Sequence, residues 1–461
     1  MKEIMRFIAT PRWTAPNLSA AFMRLTLGSL MLAAATLSTA KVSAAGSDHW
    51  VASWTASVQG PYPSGVPVAQ PDMAFAFPSA ASGANDQSFR LVIHPGLLGH
   101  VARLRFSNAY GTKPVTLDGV HVGLQAIAGT IVPGTNETVH FAGKPSVTIP
   151  VGGEMLSDPV TLSFVHDPNA PELQGRKLAV SFHVAGQSGP MTWHAKAMTT
   201  SYVGQPGAGS HGAETSDAAF PFSTTSWYFL DALEVMAPRD THVVVAFGDS
   251  ITDGTASTIN GDDRWPDVLQ RRLQAAFGHR FVVVNEGIGG NQVAGPAEYT
   301  AASPIAGGPS AGERLQRDVL SLPGVSTVVW LEGINDFGTA HVSAETVEQT
   351  MRAVVERLRK GIPHVRVIGA TLTPAFHSTL GDYGTPDVDN KRQALNKFIV
   401  SNGVFDGVVN FAAVTTDPAT GGLKPEFKPN SSVGGPGEGL HPNRAGYQAM
   451  GNSIDPTLIA R

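Results

Sequence analysis

The second half of the chain alternates short apolar runs with amphipathic helical patterns, and this alternation restricts the fold more than any other feature. Each apolar run is typical of a strand that is buried on both faces. The runs are His242–Phe247, Phe281–Val284, Val325–Leu331, Val365–Ala370 and Gly407–Phe411. Helical patterns follow them near residues 266–278, 315–322, 343–361, 394–400 and from 444 onward. Five such alternations predict an α/β fold with a parallel five-stranded sheet covered by helices.

Residues 48–236 have a different pattern, in which short β-rich runs are separated by Gly, Pro, Asn and Asp turns. The clearest runs are Val101–Phe106, Val115–Leu117, Gly119–Gly123, Ser146–Ile149 and Leu178–His183. This pattern predicts an antiparallel β-sandwich or jelly roll as an accessory domain. The turn signal at residues 238–240 places a domain boundary there, so that the α/β domain spans residues 240–461.

The first 44 residues have the organisation of a secretory signal peptide. Basic residues precede the apolar stretch Leu25–Leu37, and Val42-Ser43-Ala44 offers a small-x-small cleavage site. A membrane anchor is the alternative, but the stretch is shorter than the ~20 residues that span a bilayer. We therefore expect a secreted or periplasmic protein that is not held in a membrane after cleavage.

Composition excludes several classes of function. The formal net charge is -5 and no long basic run is present, so a nucleic-acid partner is not expected. The chain has no cysteine, which rules out disulfides, thiolate metal sites and a cysteine nucleophile. No zinc, EF-hand or Walker-type motif occurs, so neither a metal nor another cofactor is predicted.

Four polar segments follow predicted strands or precede the last predicted helix. They are Gly248–Gly254 (GDSITDG), Asn285–Asn291 (NEGIGGN), Gly333–Asp336 (GIND) and Glu438–Asn443 (EGLHPN). Taken singly, each fits an ordinary turn or helix cap. The second also fits the start of a dinucleotide fingerprint, but Gln292 stands where its third glycine should be. The carboxyl ends of parallel strands meet at one edge of a sheet, where active sites form.

The residue types in these segments are those of a serine hydrolase. A serine hydroxyl becomes an effective nucleophile when an imidazole accepts its proton, and a carboxylate can orient that imidazole. Ser250 and His441 are the candidates for the first two groups, and Glu438, three residues before the histidine, for the third. Glycine backbone N–H groups and an Asn amide are neutral donors that suit an oxyanion hole.

Together, in this order, the four segments resemble the conserved blocks of the SGNH (GDSL-type) hydrolase superfamily over residues 240–461. The resemblance implies the flavodoxin-like version of the parallel sheet, with Ser250 as nucleophile and His441 as general base. It also implies an oxyanion hole formed by the N–H groups of Ser250 and Gly290 and the side-chain amide of Asn335. The N-terminal half is similar to a β-rich domain found in a secreted subgroup of these enzymes.

One position departs from the family pattern. The last block usually has Asp three residues before the histidine, and here that residue is Glu438. Glutamate serves in some Ser-His-acid triads on other folds, so we keep Glu438 as the third member. The alternative is a Ser-His dyad whose imidazole is oriented by a backbone carbonyl.

These features predict a secreted serine esterase for small-molecule or polysaccharide esters, acting on short acyl or O-acetyl groups of carbohydrate. A lipase or lysophospholipase of the same superfamily is one alternative. Another is a non-catalytic carbohydrate-binding protein on a hydrolase scaffold. Five aromatic residues are candidates either to stack on sugar rings or to fill the core: Trp54, Trp193, Tyr202, Trp227 and Tyr228.

Overall fold

The computed structural model describes residues 48–296, 298–401 and 403–460. The signal peptide predicted in residues 1–44 lies outside this range, so export stays a prediction. Within the range, no helix is both long and apolar enough to cross a bilayer.

Fifteen strands lie in the first part of the described chain. They are β1 (His49–Thr55), β2 (Asn85–Ile93), β3 (Val101–Ser107), β4 (Val115–Ile127), β5 (Thr130–Ile131), β6 (Glu137–Thr138), β7 (Ser146–Ile149), β8 (Glu154–Leu156), β9 (Val160–Thr161), β10 (Leu178–Gln187), β11 (Trp193–His194), β12 (Ser201–Val203), β13 (Phe222–Thr224), β14 (Trp227–Tyr228) and β15 (Leu230–Ala237). One short 3₁₀-helix, Pro171–Leu173, interrupts them.

These strands pair into two antiparallel sheets and a ribbon. One sheet has the order β1-β15-β3-β8, with β9 also on β3, and the second has the order β13-β12-β2-β10-β4-β5, with β6 and β7 also on β4. Strands β11 and β14 form the ribbon. The ring centroids of Phe106 on β3 and Phe182 on β10 are 5.4 Å apart, so the two sheets share a core. The sandwich or jelly-roll assignment itself stays a prediction.

Strand β4 joins two runs that the sequence separates. Gly119 has a φ of +53°, and the pairing with β10 shifts register beside it. A glycine bulge thus bends one long strand where the sequence reads as a turn between two short ones.

The aromatic candidates for sugar stacking are mostly core residues. Trp54, Trp193, Trp227 and Tyr228 are buried, and Trp54 and Trp227 pack edge to face with centroids 4.8 Å apart. Tyr202 is half-buried. The candidate role in sugar stacking is therefore wrong for the four buried rings, because other side chains pack on their faces.

The α/β part has five strands: β16 (His242–Gly248), β17 (Phe281–Gly287), β18 (Val325–Leu331), β19 (Arg366–Ala370) and β20 (Gly407–Val409). Its helices are α1 (Ser250–Asp253), α2 (Trp265–Phe277), α3 (Ala311–Leu315), α4 (Ile334–Gly338), α5 (Ala344–Gly361), α6 (Pro386–Ser401), α7 (Phe411–Thr415), α8 (Arg444–Ser453) and α9 (Pro456–Ala460). A π-helical turn, Gln316–Leu320, extends α3, and 3₁₀ turns lie at Gly278–Arg280 and Pro425–Phe427.

The five strands form a parallel sheet in the order β17-β16-β18-β19-β20. Numbered within this part of the chain, the order is 2-1-3-4-5, which is the flavodoxin-like order that the resemblance implies. From β16 the chain continues to β17 on one side of that strand, and from β17 it crosses to β18 on the other side. The carboxyl end of β16 is therefore the point where the strand order reverses, and ligands bind at such a switch point. The first polar segment begins there.

Several predicted element boundaries are wrong, and three of them in the α/β part have a clear local cause. Helix α6 starts eight residues before the predicted 394, since Pro386 can occupy a first helical turn. Strand β20 ends at Val409 instead of Phe411, because the Asn410 side chain caps α7 by accepting from the Ala413 N–H at 3.0 Å. Helix α3 begins at Ala311, where Ser310 is the N-cap, rather than at Leu315.

The β-rich strands pack directly on the parallel sheet. The Ala52 N–H on β1 donates to the Pro323 carbonyl at 3.0 Å, and one apolar cluster contains both Val51 and Val243. All described residues belong to one compact unit. The boundary predicted between residues 236 and 240 stays a prediction.

Candidate active site

The first polar segment leaves β16 in a tight turn. Gly248 ends the strand, and a Cβ there would lie 2.1 Å from the Leu331 carbonyl oxygen, so the close approach of β18 requires glycine. Asp249 then caps α1 by accepting from the Ile251 N–H at 2.9 Å. Burial raises the pKa of Asp249 to about 8. Ser250, the first residue of α1, is thereby fixed at the carboxyl edge of the sheet.

Ser250 and His441 meet in the structure although 191 residues separate them in the sequence. Ser250 Oγ lies 2.9 Å from His441 Nε2. On the other side of the imidazole, Nδ1 contacts Glu438 Oε1, which also accepts from the His441 N–H at 2.9 Å. A carboxylate can only accept, so Nδ1 carries the hydrogen and Nε2 is free to accept the serine proton.

The carboxylate of Glu438 occupies the orienting position that the dyad alternative would give to a backbone carbonyl. Burial raises the pKa of Glu438, but its bonds to His441 lower it more, to about 2. Glu438 is therefore ionised near neutral pH. The Glu438 backbone carbonyl accepts from the Thr379 N–H at 2.8 Å and the Ser378 hydroxyl at 2.9 Å, which holds this turn against the loop after β19.

The pKa of His441 is lowered from its usual value of 6.5. The largest cause is burial, which disfavours the charged imidazolium, and the nearby Lys196 ammonium acts in the same direction. Glu438 opposes both effects. A neutral imidazole at neutral pH is the form that can accept a proton.

Gly290 lies in the loop after β17, close to α1. Its φ is +86°, which favours glycine, and the preceding Ile288 N–H donates to the Gly248 carbonyl at 3.1 Å. Among the residues that the structure describes, neither the Ser250 nor the Gly290 N–H donates to a protein acceptor. Both groups are available to a substrate oxygen.

Asn335, on α4, is bound to the same loop. Its Nδ2 donates to the Asn291 carbonyl at 2.8 Å, and its Oδ1 accepts from the Tyr383 hydroxyl at 2.6 Å. The tyrosine fixes which end of the amide faces the loop. One of the two Nδ2 hydrogens remains for a further acceptor. Tyr383 carries no motif, and sequence reasoning missed it.

Arg314, also missed, joins the first two polar segments. Its guanidinium donates to the Gly248 carbonyl at 2.8 Å, to Asn291 Oδ1 at 2.7 Å and to the Glu286 carbonyl at 2.7 Å. The side chain is completely buried and lies 4.0 Å over the Phe247 ring. One side chain therefore sets the distance between the serine turn and the Gly290 loop.

No metal site was found within residues 48–296, 298–401 and 403–460, where no three Asp, Glu, His or Cys side chains are grouped to hold an ion. The five site residues named from the sequence, by contrast, lie at one edge of the sheet. Fold and site together have the arrangement of a serine hydrolase on a parallel α/β sheet.

Comparison with known proteins identifies the family of this part of the chain. Residues 246–449, slightly under half of the chain, match the GDSL-like Lipase/Acylhydrolase family. They are therefore a GDSL-like acylhydrolase domain, which confirms the resemblance drawn from the four segments. No curated protein matches the chain.

Several solved structures are distantly similar. They include a putative arylesterase from Agrobacterium tumefaciens str. C58 (20% identity, 46% of this chain and 96% of that chain, TM-score 0.35). A carbohydrate acetylesterase from Sinorhizobium meliloti matches at 16% identity over 48% of this chain and 99% of its own, with a TM-score of 0.36. An M. Smegmatis aryl esterase matches at 15% identity over the same shares, also with a TM-score of 0.36.

Proposed function

We propose that this protein hydrolyses carboxylic esters through an acyl-enzyme intermediate on Ser250. The observation that carries the proposal is the contact chain from Ser250 Oγ through the His441 imidazole to Glu438. In the first step Oγ attacks the ester carbonyl carbon while Nε2 takes the hydroxyl proton. The carbon–oxygen bond of the ester then breaks, and His441 returns the proton to the leaving alcohol.

Water completes the cycle by the same chemistry. His441 takes a proton from a water molecule as its oxygen attacks the acyl carbon, and the acid leaves as the proton returns to Ser250 Oγ. In both steps the carbonyl oxygen becomes an oxyanion. The N–H groups of Ser250 and Gly290, with the second hydrogen of the Asn335 amide, are the donors we assign to it.

For the substrate we propose short acyl groups, such as O-acetyl groups on extracellular carbohydrate. Two cavities, of about 280 and 500 Å³, have walls that include neither Ser250 nor His441, so neither of them is the acyl site. A Cβ at Gly290 would lie 3.2 Å from the Gly307 Cα, so the neighbouring loop packs closely on Gly290. The carbohydrate part of the proposal depends on the predicted export.

The deciding experiment combines covalent labelling with a substrate panel. A serine-directed phosphonate should add one label per chain, and p-nitrophenyl acetate should be hydrolysed faster than long-chain p-nitrophenyl esters. Release of acetate from acetylated glycans would support the carbohydrate substrate. Faster cleavage of long-chain or lysophospholipid esters would favour the lipase alternative. No label and no hydrolysis would leave a carbohydrate-binding protein as the better reading.

The substitution Glu438→Gln tests whether the protein uses a Ser250-His441-Glu438 triad or only a Ser250-His441 dyad. Without the carboxylate charge the imidazolium formed during attack is less stable, so kcat should fall by more than about tenfold. The measurement is kcat for p-nitrophenyl acetate, with Glu426→Gln as the control, because Glu426 is an exposed glutamate on the same loop. An unchanged rate in Glu438→Gln would favour the dyad.

The pH dependence of kcat/KM should show an acid limb with its midpoint below 6.5. Only neutral His441 can accept the serine proton, its protonated fraction falls as pH rises, and burial lowers its pKa. Since Glu438 raises that pKa, the midpoint in Glu438→Gln should lie lower still. A profile from pH 4 to 8 with an uncharged ester tests both statements. A midpoint at or above 6.5 would contradict the buried, neutral base.

A further inference from the structure

Two basic side chains from the β-rich part of the chain lie behind the serine turn. His194, at the end of β11, and Lys196 are 3% and 1% exposed. Both face Asp253, the last residue of α1: His194 Nε2 lies 3.1 Å from Oδ1, and Lys196 Nζ lies 3.9 Å from Oδ2. The lysine also donates to the hydroxyl of Thr255. Buried charges are costly unless they are paired, so this cluster needs an explanation.

His194 is an imidazolium in this arrangement. Its Nδ1 lies 2.7 Å from the Ser57 carbonyl oxygen, and its Nε2 lies 3.1 Å from both the Lys196 carbonyl oxygen and the Asp253 carboxylate. Carbonyl and carboxylate oxygens only accept, so both ring nitrogens must carry hydrogen. Burial lowers the pKa of His194, but Asp253 and the two carbonyls outweigh it, and the net pKa is raised. Two cations therefore flank one carboxylate.

Asp253 in turn binds the loop that carries Gly290. Its Oδ2 accepts from the Gly289 N–H at 2.9 Å, one residue before the predicted oxyanion donor. Lys196 packs on the same residue, because a Cβ at position 289 would lie 2.4 Å from Nζ. Only glycine there leaves room for the ammonium. The cation cluster and the Gly289–Gly290 backbone are thus one packed unit.

We propose that His194 and Lys196 are positioning residues of the ester-hydrolysing site, which act through Asp253 to hold the Gly289–Gly290 backbone with the Gly290 N–H directed at the reacting carbonyl. The inference rests on the proposed function. It also gives the β-rich part a role, since without it Asp253 would lose both of its basic partners. An oxyanion donor stabilises the transition state only when its direction is fixed beforehand.

Lys196 has a second effect, on the base. The charged and polar groups around His441 are Glu438 on Nδ1, Ser250 on Nε2 and the more distant Lys196. Burial lowers the pKa of Lys196, and the facing carboxyl groups of Asp253, Asp249 and Glu438 offset only part of that effect. The ammonium lowers the pKa of His441. Removing its charge should therefore raise that pKa, whereas a substitution that keeps the charge should leave it in place.

The test compares Lys196→Met with Lys196→Arg. A displaced oxyanion donor should lower kcat for p-nitrophenyl acetate about 10- to 100-fold in Lys196→Met, with KM changed by less than about threefold. The acid limb of its kcat/KM profile should move to higher pH. Lys196→Arg, which keeps the charge, should restore the midpoint and part of kcat. The control is Lys177→Met, which removes another partly buried ion pair of the β-rich part, with Asp262 at 2.8 Å.

The outcomes separate this inference from the proposed function. If the unaltered protein neither hydrolyses esters nor takes a phosphonate label, the proposed function fails. If it does both but Lys196→Met behaves like Lys177→Met, with an unmoved midpoint, the positioning role is wrong. Should Lys196→Met not fold, Thr255→Val and His194→Gln test the same cluster with smaller changes. Unaltered kcat in both would overturn the proposal.

Discussion

Ser250→Ala should lower kcat for p-nitrophenyl acetate by about 10⁶-fold and abolish phosphonate labelling. Loss of the nucleophile in a serine protease has an effect of this size, because no acyl-enzyme can form and only the oxyanion donors and substrate binding remain. The substitution removes one oxygen from a side chain that is 5% exposed, so the fold should be retained. Intact-protein mass after labelling and initial rates at saturating ester measure the two effects.

The matched control is Ser257→Ala. Ser257 is buried seven residues further along, and its hydroxyl has no hydrogen-bond partner among the described residues. Its loss should leave labelling and kcat unchanged. A Ser250→Ala variant that kept a tenth of the activity, or still took one label, would show that another group is the nucleophile.

His441→Ala should have an effect of similar size, about 10⁶-fold in kcat. Among the described residues, the proton acceptor in contact with Ser250 Oγ is His441 Nε2, 2.9 Å away, and the substitution removes it. The phosphonate should react much more slowly as well, because it too needs an activated serine. Free imidazole should restore part of the rate, since the substitution leaves a space of the right shape beside Ser250.

His341→Ala is the control for general effects of histidine loss. Its side chain is 58% exposed and lies 3.6 Å from Asp382. We expect its kcat and labelling rate to equal those of the unaltered protein. Full labelling of His441→Ala at the normal rate would mean that Ser250 is activated by some other base.

The parallel sheet could be read from the sequence because it depends on local pattern, and the serine and the histidine could be named because four short segments in order resemble a known family. Buried parallel strands are continuous apolar runs, and turns at their carboxyl ends lie together whatever the helices between them do. Glu438 could also be predicted from the sequence, since it lies three residues from His441. The ends of helices and strands were harder to predict from the sequence. For example, α6 begins at Pro386 and β20 ends at Val409, because caps and turns fix such ends where neighbouring residues have similar helix or strand propensities.

The cluster around Asp253 could not be read in this way. His194 contacts Asp253 across 59 residues of sequence, and nothing in the residues near either one names the other as its partner. Arg314 and Tyr383 are likewise single residues without a motif. Only Asp253 carried a signal, as part of the first polar segment, and that signal does not distinguish a helix cap from a carboxylate that holds a loop.

The sequence by itself therefore determined the parallel sheet and its polar edge, which depend on period, and named the nucleophile, base and acid to be tested through the resemblance of four short segments to a known family. Tertiary structure alone decided that Trp54, Trp193 and Trp227 are core residues and that His194 and Lys196 of the β-rich part lie beside Asp253, which binds the Gly289 N–H. The physical reason is that charged and aromatic side chains interact with residues that the folded chain brings within a few ångströms. Those residues are distant in the sequence, so local pattern does not identify them.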